Sequence, residues 1–433
     1  MEYIAILMFV VVFALILVGY PVALTLAGLS ILTGLIFVPD FLDLLPLRIM
    51  GILENQVLIA VPLFIFMGLM FEKSGLAERL LVTMSMLLGR LHGGLAISVI
   101  IVGTLLAASS GIVGATVVTM GLISLPVMLK KGYSPELATG TICSSGTLGQ
   151  IIPPSVVLIL LGSVMNVSVG SLFKAAVVPG FLLVIAYCIY IFIYAYLYPE
   201  HAPRLTRAEI NEFKEDQFLK KTLEAFIFPM LLILAVLGSI FAGIASPTEA
   251  AALGAVGAML LTIYQKKFTK DVLKYVCKET SHLTSMVFLI LLGATTLSLV
   301  FRGLGGEKFL IQSITQSGLS PYVFLLLIMV VVFIAGFFID FIEIVFIIVP
   351  VITPLLAVYK IDLVWVGILL AVNLQTSFLS PPFGFALFYL KGVAPPSVTT
   401  AHLYKGIIPF VIIQLLVLLL VAFFPNIIYF GNN

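Results

Sequence analysis

Ser144-Ser145-Gly146-Thr147-Leu148-Gly149-Gln150-Ile151-Ile152-Pro153-Pro154-Ser155 interrupts a long apolar run with small polar residues and closes on a proline pair. A helix does not run smoothly through such a stretch, because proline lacks the N–H and its ring clashes with the preceding turn. Asn373-Leu374-Gln375-Thr376-Ser377-Phe378-Leu379-Ser380-Pro381-Pro382-Phe383-Gly384 has the same makeup. In lipid, backbone freed in this way is tolerated only where protein or a water-filled cavity satisfies it. A helix broken at mid-membrane marks a binding site, and two of them point to a repeat.

The chain around these stretches is built for lipid. Its 433 residues are 62% hydrophobic and 10% charged, with mean hydropathy +1.25, whereas soluble domains are nearer half apolar and a quarter charged. The fold class this predicts is an all-α polytopic membrane protein. A net charge of +2 without a basic tail gives no reason to expect nucleic acid. Cys143, Cys188 and Cys277 are isolated, which argues against a disulfide framework or a zinc site. Residues 3–19 are apolar but lack a basic leading segment, so the first helix is expected to stay in the protein.

Apolar stretches long enough to cross lie at 3–19, 21–37, 55–71, 134–163, 175–198, 222–241, 247–265, 283–301, 363–390 and 405–425. Residues 93–130 and 320–359 differ: each holds two short apolar arms around a polar break. The breaks are Ala108-Ser109-Ser110-Gly111 and Gly336-Phe337-Phe338-Ile339-Asp340. Both stretches read as re-entrant hairpins that enter and leave on one side. Basic residues cluster at 204–221 and 266–278, which places both loops in the cytoplasm. Traced back from there, the first hairpin opens to the cytoplasm, flanked by Arg90, Lys130 and Lys131. The loop at 38–50, with Asp40 and Asp43, then falls outside, as do both termini. The charged segment 199–221 suits either an interfacial amphipathic helix or a linker.

The two halves correspond. Pro126 and Pro354 stand 228 residues apart, as do Pro153 and Pro381, and Gly75 and Gly303. Pro21 and Pro247 stand 226 apart. An ancient duplication is expected, with repeats at 1–198 and 222–433 joined by 199–221. The first would hold scaffold helices 1–71, the hairpin 93–130 and the broken helix 134–163. The second would hold scaffold helices 222–265, the hairpin 320–359 and the broken helix 363–390. Five crossings per half invert the second copy, as in secondary transporters.

Ser109, Ser110 and Gly111 at the first tip, with Ser145, Gly146, Thr147 and Gly149 at the first break, offer hydroxyls and freed carbonyls. The ends of half-helices add partial negative charge. Such a set holds Na⁺ without a carboxylate. Gly336, Ser377, Ser380 and the backbone around Phe383 are the second set. Helix packing by small residues is the plain alternative. Asp340 lies in an otherwise apolar stretch at the second tip, and a charge there is a functional candidate by default. Glu343 follows on the same helical face, so one of the pair can serve to orient backbone. Arg302 suits carboxylate recognition, or snorkels to headgroups. Glu249, after Ser246-Pro247, reads as a helix-start acid. The four histidines lie near segment ends. No HExxH, GxSxG or phosphate-loop pattern is present, so no enzyme is expected.

At these motifs the chain resembles the large membrane subunit (DctM-like, M subunit) of TRAP transporters, the tripartite ATP-independent periplasmic transporters. Gly146 through Ser155, Gly336 with Asp340, Pro350 with Pro354, and Asn373 through Gly384 carry the likeness. It departs from the family where Ser377 and Ser380 replace the usual Gly and Thr. The resemblance implies an inverted-repeat elevator in a bacterial or archaeal inner membrane. It further implies import of a small organic anion coupled to two or more Na⁺. The implied partners are a small four-helix membrane subunit (Q-type) and a periplasmic substrate-binding protein (P-type). Carried over by position, one cation site uses Ser109, Ser110, Gly146 and Gly149, and the other Gly336, Ser377, Ser380 and Phe383. Arg302, Asp340, Thr116 and Ser155 fall to the substrate. A stand-alone Na⁺–dicarboxylate symporter has the same motifs. A lipid-phosphate enzyme would need clustered Asp, His or Arg that this chain lacks.

Overall fold

A computed structural model describes residues 1–111, 113–206 and 218–429, apart from the side chains of 109, 110 and 218–225. All regular structure among them is helical. Six of these helices are each long and apolar enough to cross a bilayer, including Val169–Leu197, Pro247–Tyr264 and Thr400–Phe423. The amphipathic reading of 199–221 falls mostly on 207–217, outside the described residues.

Lys270–Gly303 spans 34 residues where hydropathy marks only 283–301. At 1.5 Å per residue it is about 50 Å long, against about 30 Å of hydrocarbon. Its basic first turns are good helix formers that continue the helix beyond the apolar part. Leu76–Leu88 and Gly306–Gln316 are helices that hydropathy passes over, because they are amphipathic and too short to cross. Each follows a left-handed glycine, Gly75 at φ 73° and Gly305 at φ 81°. The residue sharing Gly75's role is thus Gly305 rather than Gly303, which ends the long helix.

Both polar breaks at 108–111 and 336–340 are hairpin tips. The first hairpin comprises Gly94–Ser110 and Val113–Lys130, which pack on each other and both along Pro135–Thr147. Its two ends meet. Gly93 N donates to Ala202 O at 2.9 Å, and Ser134 N donates to the adjacent His201 O at 3.0 Å. Leu95 N also donates to the Tyr133 hydroxyl at 3.3 Å. Burial pushes the Tyr133 phenol up to about 12, so it remains a neutral partner at physiological pH. The second hairpin comprises Pro321–Ala335, then Phe341–Ile347 and Val349–Val358, the last two bent by 49° beside Pro350. A proline near that junction removes a ladder N–H, which explains the bend. Here Tyr359 closes the base: its hydroxyl donates to Leu319 O at 3.1 Å, and its ring lies 5.0 Å from that of Phe324. Tyr359→Phe should cost about 1 kcal/mol and lower the thermal unfolding midpoint. Tyr322→Phe, on a ring 76% exposed, should not.

The broken helices occupy the centre. Every residue from Leu137 to Thr147, and from Trp365 to Leu379, is buried. A helix buried on all faces sits in a core. Around it, Lys270–Gly303 packs against Val22–Phe37 and Ala60–Lys73, and Pro247–Tyr264 packs against Ala60–Lys73.

Candidate functional site

The first broken helix runs Pro135–Thr147, turns tightly through Leu148–Gln150, passes a cis Pro153–Pro154 peptide and resumes at Val156–Met165. Ser134 caps its first arm by accepting from Leu137 N, and Ser155 caps the second by accepting from Leu158 N. Ser155 also donates to Gln150 O at 2.7 Å, which ties the break across its own prolines. The second broken helix runs Leu363–Leu379, passes a cis Pro381–Pro382 peptide and resumes at Phe385–Val393. Asp362 caps its start by accepting from Val364 N at 2.7 Å.

Each tip lies against the break of its own half. A Cβ on Gly149 would collide with the backbone carbonyl of Ala107. One on Gly146 would collide with Val117, and one on Gly111 would come within 2.9 Å of Val156 Cγ2. These glycines let two backbones approach where any side chain would hold them apart. At the second tip a Cβ on Gly336 would collide with Ser377 Oγ. Aromatic rings complete that contact: Phe338 lies 5.3 Å from Phe383, and Phe341 lies 6.0 Å from Phe378. Beyond the breaks the arms cross over. Phe385–Val393 packs along Val113–Lys130, while Val156–Met165 packs along Phe341–Ile347 and Val349–Val358.

The hydroxyls at the breaks spend their protons locally. Ser145 donates to Ile142 O, Thr147 to Ser144 O, Ser377 to Leu374 O and Ser380 to Thr376 O, all at 2.8–3.0 Å. A hydroxyl donating to its own helix keeps oxygen lone pairs free. Gln150 and Gln375, both fully buried, leave their amide atoms without partners among the described residues, as does Ser144 Oγ. No cluster of three or more His, Cys, Asp or Glu exists among the described residues. A cation at either break would therefore meet hydroxyl, amide and carbonyl oxygens at the ends of buried half-helices, a donor set that fits Na⁺. The side chains of Ser109 and Ser110 lie outside the described residues. Thr116 is buried one residue before Val117, on the arm that meets Gly146.

Asp340 caps Phe341–Ile347. Its carboxylate accepts from Phe341 N at 2.6 Å, while Glu343 accepts from Asp340 N at 3.2 Å. Arg302 is placed elsewhere. Its Nε donates to Glu307 Oε2 at 2.7 Å, and it lines a cavity of about 540 Å³ with Arg48, Ser298, Phe346 and Pro350. No ion pair joins it to Asp340 among the described residues. Glu249 forms a capping box with Ser246, as its position after Ser246-Pro247 predicts.

Two residues join this picture that motif reading passes over. Tyr389 lies in electrostatic reach of Asp340, and its ring would sit 3.0 Å from a Cβ on Gly114 of the first hairpin. It thus packs against the first hairpin near its tip. Arg48 is the other. Neither lies in a polar break, so no local pattern in the sequence marks them.

Two hairpin tips closing on two broken helices inside a helical membrane scaffold define a multi-pass membrane transporter. The chain belongs to the family described as the DctM component of the tripartite ATP-independent periplasmic transporters, which it matches over residues 9–427. It is 32% identical over 401 residues to the C4-dicarboxylate TRAP transporter large permease protein DctM of Pseudomonas aeruginosa, covering 92% of this chain and 91% of that one. It is 28% identical over 417 residues to the sialic acid TRAP transporter large permease protein SiaM of Vibrio cholerae, covering 95% and 94%. Among solved structures it is similar to the YdaH transporter of Alcanivorax borkumensis, with TM-score 0.65 and 15% identity over 95% of this chain and 98% of that one. These relatives are transporters and transporter subunits rather than enzymes.

Proposed function

We propose that the chain is the large permease of a Na⁺-coupled importer of a small organic anion in a bacterial inner membrane. The observation that supports this most directly is the seating of each tip on a break whose oxygens are neutral and keep free lone pairs. Na⁺ at Ser109, Ser110, Gly146 and Gly149 fixes the first tip. Na⁺ at Gly336, Ser377, Ser380 and Phe383 fixes the second. The anion then binds between the tips, near Thr116 and Ser155, with Asp340 holding the second tip in shape, while Arg302 stays with Glu307 in the cavity beside the second hairpin. The unit formed by hairpins and broken helices then moves as an elevator against the scaffold helices. On this reading 1–198 and 222–433 are inverted repeats joined by 199–221. Two or more Na⁺ per monoanion carry net positive charge inward, and each charge contributes about 2.3 kcal/mol per 100 mV.

The named substrates of the relatives, a C4-dicarboxylate and sialic acid, share a carboxylate. A carboxylate-bearing ligand is accordingly proposed here, delivered by a periplasmic binding protein and imported together with a small membrane subunit. The test is uptake into proteoliposomes holding the chain and both partners. An inward Na⁺ gradient should drive accumulation, K⁺ in place of Na⁺ should not, and omitting the binding protein should abolish uptake. Equal uptake in Na⁺ and K⁺ would end the coupling claim. Full uptake by the chain alone would favour a stand-alone symporter.

A further inference from the structure

The 540 Å³ cavity beside Arg302 lies within the roughly 300–1,000 Å³ range of small-molecule sites. Its lining includes two guanidinium groups, Arg48 and Arg302, and no carboxylate. The two cations differ in what they face. Arg302 already has Glu307 at 2.7 Å, so that pair is neutral. The side chain of Arg48, exposed on Leu45–Leu53, has no hydrogen bond or ion pair among the described residues. The positions one turn away on its own helix are Leu44, Leu45, Gly51 and Ile52, none of them acidic. The unbalanced charge of the cavity therefore belongs to Arg48.

The walls come from two parts of the fold. Leu45–Leu53 and Lys270–Gly303 form one, and residues of Val156–Met165 and of the second hairpin form the other. Asn55 Nδ2 donates to Ser163 Oγ at 3.1 Å across the seam. Ser298 and Thr295 add neutral hydroxyls on the long helix.

We propose that Arg48 is an anion-receiving group at this seam, and that its ligand is the carboxylate, or an isosteric sulfonate, of a small organic acid. The proposal rests on the import reading above and adds a reception point ahead of the tips. A guanidinium with a free fork matches a carboxylate in two parallel hydrogen bonds, and a cavity lined by one sign of charge concentrates the opposite ion. Arg302, committed to Glu307, keeps only the remaining edge of its fork for the same ligand. A lipid phosphate presents the same acceptor chemistry, so the experiment separates the two sources.

A cysteine at Ser298 reports the local field without depending on transport. The chain carrying Ser298→Cys is reconstituted with its partners. It is labelled with an anionic reagent, sulfonatoethyl methanethiosulfonate, and with a cationic one, trimethylammonioethyl methanethiosulfonate. Labelling of the unsubstituted chain, which has three native cysteines, is subtracted. The ratio of anionic to cationic reaction rates should be about tenfold higher than the same ratio for a free thiol. Arg48→Gln and Arg48→Met should each remove that preference, and Arg48→Lys should keep it. In uptake, Arg48→Gln should raise the half-saturating substrate concentration several-fold and leave the maximal rate near its starting value. A reagent ratio equal to that for a free thiol, or a preference that survives both neutral variants, overturns the proposal. So does a preference absent in phospholipid liposomes and present only in lipid-stripped detergent, which assigns Arg48 to a headgroup. The labelling result stands apart from Na⁺ coupling, so its failure and the failure of the import reading are told apart.

Discussion

Gly149→Ala is expected to cut Na⁺-driven uptake at least about tenfold, while Gly238→Ala and Gly392→Ala leave it unchanged. The single added carbon has nowhere to go. At Gly149 it would collide with the carbonyl oxygen and carbon of Ala107 and come within 2.9 Å of Ala107 Cβ. Ala107 is in the last turn of Gly94–Ser110, so the obstacle includes helix backbone rather than a side chain that can rotate away. The tip must lift off the break, or the break must bend. Overpacking of this kind costs about 1–3 kcal/mol, and displacing site groups by about 1 Å can cost a hundredfold in rate. At Gly238 and Gly392 the added carbon meets nothing within 4 Å. Gly140→Ala separates damage at the tip from damage to packing in general. Its Cβ would collide with Gly406 backbone, on the face turned towards Thr400–Phe423. That variant should lower thermal stability and leave the Na⁺ concentration for half-maximal uptake unchanged. In Gly149→Ala that concentration should rise along with the loss of rate. Normal uptake at an unaltered Na⁺ requirement in Gly149→Ala would sink the idea that tip and break form one site.

The contrast between Gly149 and Arg302 shows which parts of this protein are legible in its sequence. Gly149 sits in a run that no transmembrane helix can use smoothly, and the anomaly is local: proline, small residues and hydroxyls within twelve positions. Hydropathy likewise marks Gln56–Lys73, Val169–Leu197, Pro247–Tyr264, Lys270–Gly303 and Thr400–Phe423, each long and apolar enough to cross, because a span must bury about 20 apolar residues regardless of its neighbours. The tips at 108–111 and 336–340 are readable for the same reason. Arg302 is different. It is conspicuous at the end of an apolar run, yet its hydrogen-bond partner is Glu307, on the amphipathic helix Gly306–Gln316 that hydropathy cannot see. Arg48 is legible neither by motif nor by hydropathy, since its interest lies in facing Ser163 and Ser298 from distant parts of the chain. Tyr389 has the same character: only the crossing of Phe385–Val393 to the opposite hairpin brings it to Gly114. Local constraints mark where the site is. Which side chains from elsewhere complete it depends on packing that periodicity does not encode.

Asp340→Asn is expected to keep nearly full uptake, whereas Asp340→Ala loses about tenfold. The geometry gives Asp340 the job of starting a helix. Its carboxylate accepts from Phe341 N, and Glu343 returns the contact by accepting from Asp340 N. Phe341–Ile347 has only seven residues, too few to be stable without a nucleating end. Truncating an N-cap to alanine costs about 0.5–2 kcal/mol, and each 1.4 kcal/mol is a factor of ten in the population of the formed tip. Asparagine caps as well as aspartate does, so it restores the helix start without the charge. Glu343→Gln should be tolerated for the same reason, since glutamine also completes a capping box. Asp340→Ala and Glu343→Ala together should cost less than the sum of the single losses, as expected for two halves of one contact. Uptake rates of the five variants, Asp340→Asn, Asp340→Ala, Glu343→Gln, Glu343→Ala and the double alanine, normalised to the amount of folded protein, provide the check. Should Asp340→Asn fall as far as Asp340→Ala, the charge itself would be required, and Asp340 would have to be assigned to the ions or the anion rather than to the shape of the tip.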